Sequence, residues 1–312
     1  MVKTNLGLSC LLNAQGLDSI PESVLQNSNL ESLYFEENNL NEIPSTIAYL
    51  KKLKILSLYK NNLAELPTTA CILTDLQKLN MSANKLTSLP EQISALQNLE
   101  ILDIQHNRIN SLPSSIGSIT SLQFLYCAGN QLTDLPETFA QLNQIKYINI
   151  SKNQFTTFPK VICSYKNLIE LKIEENKIAS LPNEIGNLLQ LKELYAQSNK
   201  LTLLPDTIGK LSNVRKLILE NNQLQELPET IGYLQHLTDL NLRANKLCIL
   251  PDSIGLLTSL RFLDLRDNNL QKLPASVMQL TNLEKLDLRI NHQLEIPSWL
   301  DSLEKRGCIV YY

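Results

Sequence analysis

The sequence has no apolar run approaching the ~18 residues of a membrane-spanning helix. Its net charge is only −3. That excludes the clustered Lys and Arg that give a general grip on nucleic acid or anionic lipid. It has no glycine-rich phosphate loop, no G-x-S-x-G nucleophile turn and no metal-spaced set of His or Cys. Its three histidines, His106, His236 and His292, lie far apart along the chain. The chain is therefore expected to be no enzyme and to need no cofactor and no metal. Cys10, Cys71, Cys127, Cys163, Cys248 and Cys308 include no C-x-x-C pair. Neither a disulfide nor a zinc site is expected from them.

The N-terminal Gly7-Leu8-Ser9-Cys10 has the outline of a lipoprotein cleavage site. The apolar stretch before it is far short of the ~7–15 residues an export signal needs. Asn80-Met81-Ser82 and Asn149-Ile150-Ser151 match the glycosylation pattern, but both fall on expected strands. No linker, low-complexity segment or charge run breaks the chain.

What the sequence does have is a period. Its thirteen prolines stand at 21, 44, 67, 90, 113, 136, 159, 182, 205, 228, 251, 274 and 297, always 23 residues apart. An asparagine column keeps the same step from Asn38 to Asn291. The column before each proline is apolar from Ile20 to Ile296, and so is the column three places after it, from Val24 to Leu300. Leu53-Lys54-Ile55-Leu56-Ser57-Leu58-Tyr59-Lys60-Asn61-Asn62-Leu63 shows the unit. Leu56 and Leu58 alternate with polar neighbours, the period of a half-buried strand. Leu66-Pro67 then turns the chain, and Ala70 and Leu73 suit a short 3₁₀ turn on the return side. Nine prolines are followed two places later by Ser or Thr, whose hydroxyl is expected to bond backbone groups in the turn. Gly117, Gly186, Gly209, Gly232 and Gly255 share one column of the turn.

This L-x-x-L-x-L-x-x-N-x-L pattern with Leu-Pro-x-x-Ile-Gly-x-Leu resembles the 23-residue leucine-rich repeats across essentially the whole chain. Plant Ras-group proteins, animal Ras-pathway and cell-polarity scaffolds and many bacterial proteins carry this form. The resemblance implies an α/β solenoid, a horseshoe with a parallel concave sheet of about 14 short strands and 3₁₀ or irregular turns on the convex side. A single repeat domain over 1–312 is expected, with a capping repeat at 1–29, regular repeats over 30–297 and a cap with a terminal strand at 298–312. The asparagines read as a structural ladder, each able to satisfy backbone groups in adjacent turns. Cys10 and Cys127 fall on core columns, where a thiol is a small hydrophobe. Extracellular members of this class protect their ends with clustered cysteines. The lack of them favours a reducing, cytoplasmic setting.

The variable strand positions face a partner in this architecture. They give an aromatic patch of Ile101, Phe124, Tyr126 and Tyr147 with Asp103 and His106 beside it, and Tyr195 further on. The patch reads either as a binding hot spot or as cross-strand packing. A second column is Arg243, Arg266 and Arg289, with Asp239, Asp264, Asp267 and Asp287 at hand. It reads as a self-satisfied charge network or as a lane for an acidic partner segment. Glu170, Glu174, Glu175, Glu193 and Glu220 form an acidic strip in the middle repeats. The resulting expectation is a protein-binding scaffold or adaptor that uses the concave face, acting in intracellular signal transduction. The alternatives are an exported bacterial surface or effector protein that binds a host molecule, and a stoichiometric enzyme inhibitor. A monomer is expected. The apolar edge Cys308-Ile309-Val310-Tyr311-Tyr312 offers a route to a homodimer unless Trp299, Leu300 and Leu303 cover that end.

Overall fold

The computed structural model describes residues 7–312. The chain forms two compact units that divide between Gln154 and Phe155. The first holds β1 (Ser9–Leu11), β2 (Ser32–Tyr34), β3 (Ile55–Ser57), β4 (Lys78–Asn80), β5 (Ile101–Asp103), β6 (Phe124–Tyr126) and β7 (Tyr147–Asn149). The second holds β8 (Glu170–Lys172), β9 (Glu193–Tyr195), β10 (Lys216–Ile218), β11 (Asp239–Asn241), β12 (Phe262–Asp264), β13 (Lys285–Asp287) and β14 (Ile309–Tyr311). Within each unit the strands run parallel in chain order. Each residue lies opposite the one 23 places on, as in Asp103 opposite Tyr126 and Leu240 opposite Leu263. The last strand is set one residue later, with Asp287 opposite Tyr311. The fourteen strands and short turns are those expected from the repeat.

Each strand is three residues long because only the L-x-L core alternates. Its middle residue, such as Leu56, Leu102 or Leu217, is 0% exposed. Burying one such side chain contributes roughly 1.5–3 kcal/mol. A five-residue 3₁₀ turn follows most prolines, for example Ser114–Ser118 after Pro113 and Asp206–Lys210 after Pro205. Proline fixes φ near −66° and −69° at these two starts. Its carbonyl accepts the N–H three residues on, as Pro205 O does from Ile208. The ends differ: α1 (Glu22–Leu25) and α2 (Leu300–Lys305) are α-helical. Ile296, the last of the apolar column before the prolines, is 48% exposed. Leu300 and Leu303 of α2 are buried instead and close that end of the core, while Ile309 and Tyr311 remain exposed on the terminal strand.

The asparagine ladder joins neighbouring repeats. Asn107 donates from Nδ2 to Met81 O and Ile104 O, both at 3.0 Å, and its Oδ1 accepts the Leu86 N–H at 2.9 Å. Met81 and Leu86 belong to the preceding repeat. In the first repeat Gln15 is exposed and takes no such role.

The expected bonds from the post-proline hydroxyls are mostly not made. Thr138 Oγ1 donates to Ser114 O at 2.6 Å. The hydroxyls of Thr207, Thr230, Ser253 and Ser276 are buried without a partner. They pack as small side chains under the preceding turn, whose glycine leaves the space.

The residue before each ladder asparagine is left-handed. Glu37, Lys60, His106, Ser198 and Asp267 have φ of 52–57°, and Ile290 has φ 61°. This is a rare region for a β-branched residue, costing roughly 1–2 kcal/mol. Ile290 is also 54% exposed, so little packing offsets the strain. Ile290→Asn is expected to stabilise the protein by about 1 kcal/mol, because Asn tolerates this conformation. Urea unfolding measures it. Ile290→Val keeps the strain and serves as the control. An equal response from the two variants would show that the backbone angle carries no cost.

Candidate functional site

The core leucines occupy alternate strand positions, so the remaining positions form the open face of the sheet. In the first unit Ile101, Phe124 and Tyr147 lie side by side on β5, β6 and β7. Asp103, Tyr126 and Asn149 form the next row. All but Asn149 are half-buried, and Asn149 is buried. The Tyr126 and Tyr147 rings are 4.6 Å apart and tilted by 36°. Such pairs contribute about 0.5–1.5 kcal/mol beyond their area. The structure thus brings five of the expected residues into one patch.

Asp103 is the carboxylate of this patch. Its Oδ1 accepts the Gln105 backbone N–H at 3.1 Å and the Gln105 Nε2–H at 3.3 Å. Burial pushes its pKa up, and the hydrogen bonds from Gln105 and the charges of Lys78 and His106 offset this only in part. His106 is exposed and sits at φ 52°. Its counterpart in the next repeat is Gly129, at φ 67°. A Cβ on Gly129 would lie 2.6 Å from His106 Nδ1, so the glycine makes room for the ring. Cys127 is 0% exposed, and burial pushes its thiol pKa up, with the charge of Asp103 adding to the rise. It presents no thiolate to His106.

In the second unit Tyr195 is bound into a charged row. Its hydroxyl donates to Glu193 Oε2 at 2.6 Å, and Lys172 Nζ lies 5.0 Å from its ring centre. The acidic strip there is interleaved with lysines. Glu170 pairs with Lys172 at 3.0 Å and Glu193 with Lys216 at 3.4 Å. Glu220 accepts from Asn241.

The arginine column divides. Arg266 forks onto Asp264 with Nε–Oδ1 at 3.0 Å and Nη2–Oδ2 at 2.5 Å. Arg289 forks onto Asp287 at 2.9 and 2.7 Å. Asp287 is 0% exposed. Burial raises its pKa, but the hydrogen bonds and charge of Arg289 with the charge of Arg266 outweigh that and hold it low. Lys285 and Arg289 both lie over the Tyr311 ring, at 5.3 and 4.9 Å. Arg243 is exposed and makes no ion pair among the described residues. Among the described residues, Asp239 and Asp267, expected to compensate the column, form no ion pair with its arginines. Phe262 stands outside the patch expected from the sequence, 37% exposed beside a hollow of about 240 Å³ that Asp239, Asn241 and Asp264 also line. It shares the strand position of Phe124, and that shared column is its signal in the sequence.

Of the cysteines, Cys10, Cys71, Cys127, Cys163 and Cys308 are buried and Cys248 is exposed. Burial pushes the Cys71 thiol up to about 11. The Asn80 and Asn149 sequons are strand-end turns: each Oδ1 accepts the N–H and hydroxyl of the serine two places on. No helix among the described residues is long and apolar enough to cross a membrane.

These repeats define a leucine-rich-repeat protein. A model described as a leucine-rich repeat region matches residues 70–145 and 220–305, with further leucine-rich-repeat models at 190–247 and 29–50. The chain belongs to the leucine-rich-repeat family. Among solved structures it is similar to a leucine-rich-repeat protein of Leptospira interrogans, with 32% identity and a TM-score of 0.88 over 95% of this chain and 82% of that one. It shares its fold with the plant peptide hormone receptor RGFR1 in complex with RGF2, at 23% identity and TM-score 0.72, covering 94% of this chain and 56% of the receptor. The same holds for an octameric complex of Latrophilin 3, Unc5D and FLRT2, at 23% identity and TM-score 0.69 over 97% of this chain and 89% of that one. Comparison with the curated proteins finds no match.

Proposed function

We propose that this chain is a protein-binding adaptor that engages its partner through the open face of the sheet, centred on Ile101, Asp103, Phe124, Tyr126 and Tyr147. The observation that carries this is the cluster of half-buried aromatic rings on the face opposite the core. Leu102, Leu125 and Ile148 already fill the core side of the same strands. Rigid Tyr and Phe side chains supply contact area at low entropic cost. Structures of this fold in complex with protein ligands, such as RGFR1 with RGF2, support the reading. An intracellular signalling role in a reducing compartment belongs to the same proposal, supported by the six unpaired thiols.

Affinity capture with the intact protein and with Phe124, Tyr126 and Tyr147 all changed to Ala tests the proposal. Recovery of the partner is expected to fall tenfold or more in the variant, the scale of a hot-spot loss of about 2 kcal/mol. Circular dichroism should be unchanged. Equal recovery by both forms overturns the aromatic patch as the binding centre. The likeness to a leptospiral protein favours a second reading, a bacterial protein that acts on a host molecule outside the cell. Protease accessibility on whole source cells separates the two.

A further inference from the structure

We propose that Asp103 is a receptor for a guanidinium group, so that the partner presents an arginine to the aromatic patch. This rests on the binding face assigned above and names the chemistry that the face recognises.

The argument comes from comparing three strands. Asp103, Asp264 and Asp287 hold the same third position of β5, β12 and β13. The local backbone at Asp103 and Asp264 is alike: the N–H two residues on donates to Oδ1 at 3.1 Å in both. At Asp264 and Asp287 that second residue is an arginine, which forks onto the carboxylate with two charged hydrogen bonds. At Asp103 it is Gln105, which brings one side-chain N–H at 3.3 Å and no charge. Oδ2 of Asp103 accepts no hydrogen bond among the described residues, and Asp103 has no ion pair there. The protein itself shows what fits this strand position, and at Asp103 that place is left to a ligand.

The surroundings fit the same ligand. Tyr126 lies directly opposite Asp103, with Phe124 and Ile101 on the adjoining row. A guanidinium can stack on an aromatic ring while it forks onto a carboxylate, which an ammonium does less well. The titratable groups near Asp103 are Lys78 on β4, His106 beyond β5, and Tyr126 and Tyr147 on β6 and β7. None of them forms an ion pair with it. A carboxylate that is partly desolvated and unpaired gains most from an incoming cation. Its raised pKa agrees with that state.

The test uses the full chain labelled with ¹³C at aspartate carboxyls. The probes are N-acetyl-arginine methylamide, its lysine analogue and its norleucine analogue. The arginine probe is expected to move the Asp103 carboxyl resonance saturably and to lower its pKa by about one unit, a tenfold preference for the charged form. The lysine probe should bind several-fold more weakly, and norleucine should leave the resonance in place. Gln105→Arg places a guanidinium where the arginines of β12 and β13 stand. It should lower the Asp103 pKa without any probe and abolish the arginine response, while thermal unfolding stays cooperative. Equal shifts from arginine and norleucine, or a Gln105→Arg form that binds the probe as wild type does, overturn the inference. Loss of partner capture in the triple alanine variant tests the face alone. An arginine response that persists when capture fails separates the two.

Discussion

Asn222→Ala is expected to destabilise the protein by about 3–5 kcal/mol, since each buried group left unsatisfied costs roughly 1–3 kcal/mol. Asn222 donates to Ala196 O and Leu219 O, both at 3.0 Å, and accepts the Leu201 N–H at 3.0 Å. The residue is 7% exposed, so water does not replace these bonds. Two of the three groups lie in the preceding repeat. The loss therefore falls on the joint between repeats and not only on the turn that holds Asn222. Urea unfolding gives the magnitude, and hydrogen exchange should show amides of both repeats opening together. Asn222→Asp sharpens the test. The carboxylate keeps the acceptor for Leu201 but loses both donors and sets a negative charge against two carbonyls. Its folded-state pKa must rise above the unfolded value. The stability of this variant should therefore increase as pH falls through that raised pKa, the reverse of a paired carboxylate. Gln15, exposed at the same register in the first repeat, provides the control: Gln15→Ala should change stability by less than about 0.5 kcal/mol. A small effect at Asn222 would mean that the ladder is redundant with the strand pairing.

The parts of this molecule legible in its sequence are those that repeat by chemistry. Leucine spacing and proline position specify the strand and the turn because burial and a fixed φ admit few alternatives. The asparagine column was readable for the same reason: a short amide offers two donors and an acceptor there, as Asn107 uses them. The left-handed column was not readable. Glu37, Lys60, His106 and Ile290 share a backbone angle but no side-chain chemistry. The angle belongs to the backbone of the turn, and only a few of its residues, Gly129, Asn221 and Asp267 among them, are types that favour it. The open face was legible as a list of residues and not as a set of contacts. Arg266 and Arg289 stand one repeat apart, as do Asp264 and Asp287, so spacing alone allows pairing along a strand or across strands. The structure places both forks along the strand, where residues two apart share a face. Asp267 fell out of the network because it sits at the left-handed turn, at φ 55°, and not on the strand. The silent hydroxyls have a similar cause. Their column is set by the space beneath a neighbouring turn, which no single repeat displays.

That neighbouring turn also underlies the second large effect. Gly209→Val is expected to cost about 3 kcal/mol or more, the upper range for forcing extra atoms into a packed site. A Cβ at Gly209 would stand 2.4 Å from Thr230 O and 2.8 Å from Thr230 Cβ. The first of these atoms is backbone, so no rotamer change relieves it. The two 3₁₀ turns, Asp206–Lys210 and Glu229–Tyr233, would have to separate. They are tied to strands β9, β10 and β11, whose spacing is held by the ladder bonds of Asn199, Asn222 and Asn245. Spreading the turns therefore strains the strands. Gly209→Ala should cost less than Val but remain well above a surface substitution, because the first added atom already makes the clash. Cys71 and Ala48 occupy this column in the first unit. Cys71→Ala there should be mild, because the turn already accommodates a Cβ. Thermal unfolding of the three variants measures the contrast. If Gly209→Ala and Cys71→Ala shift the midpoint equally, close approach of the turns is not what holds glycine at this position.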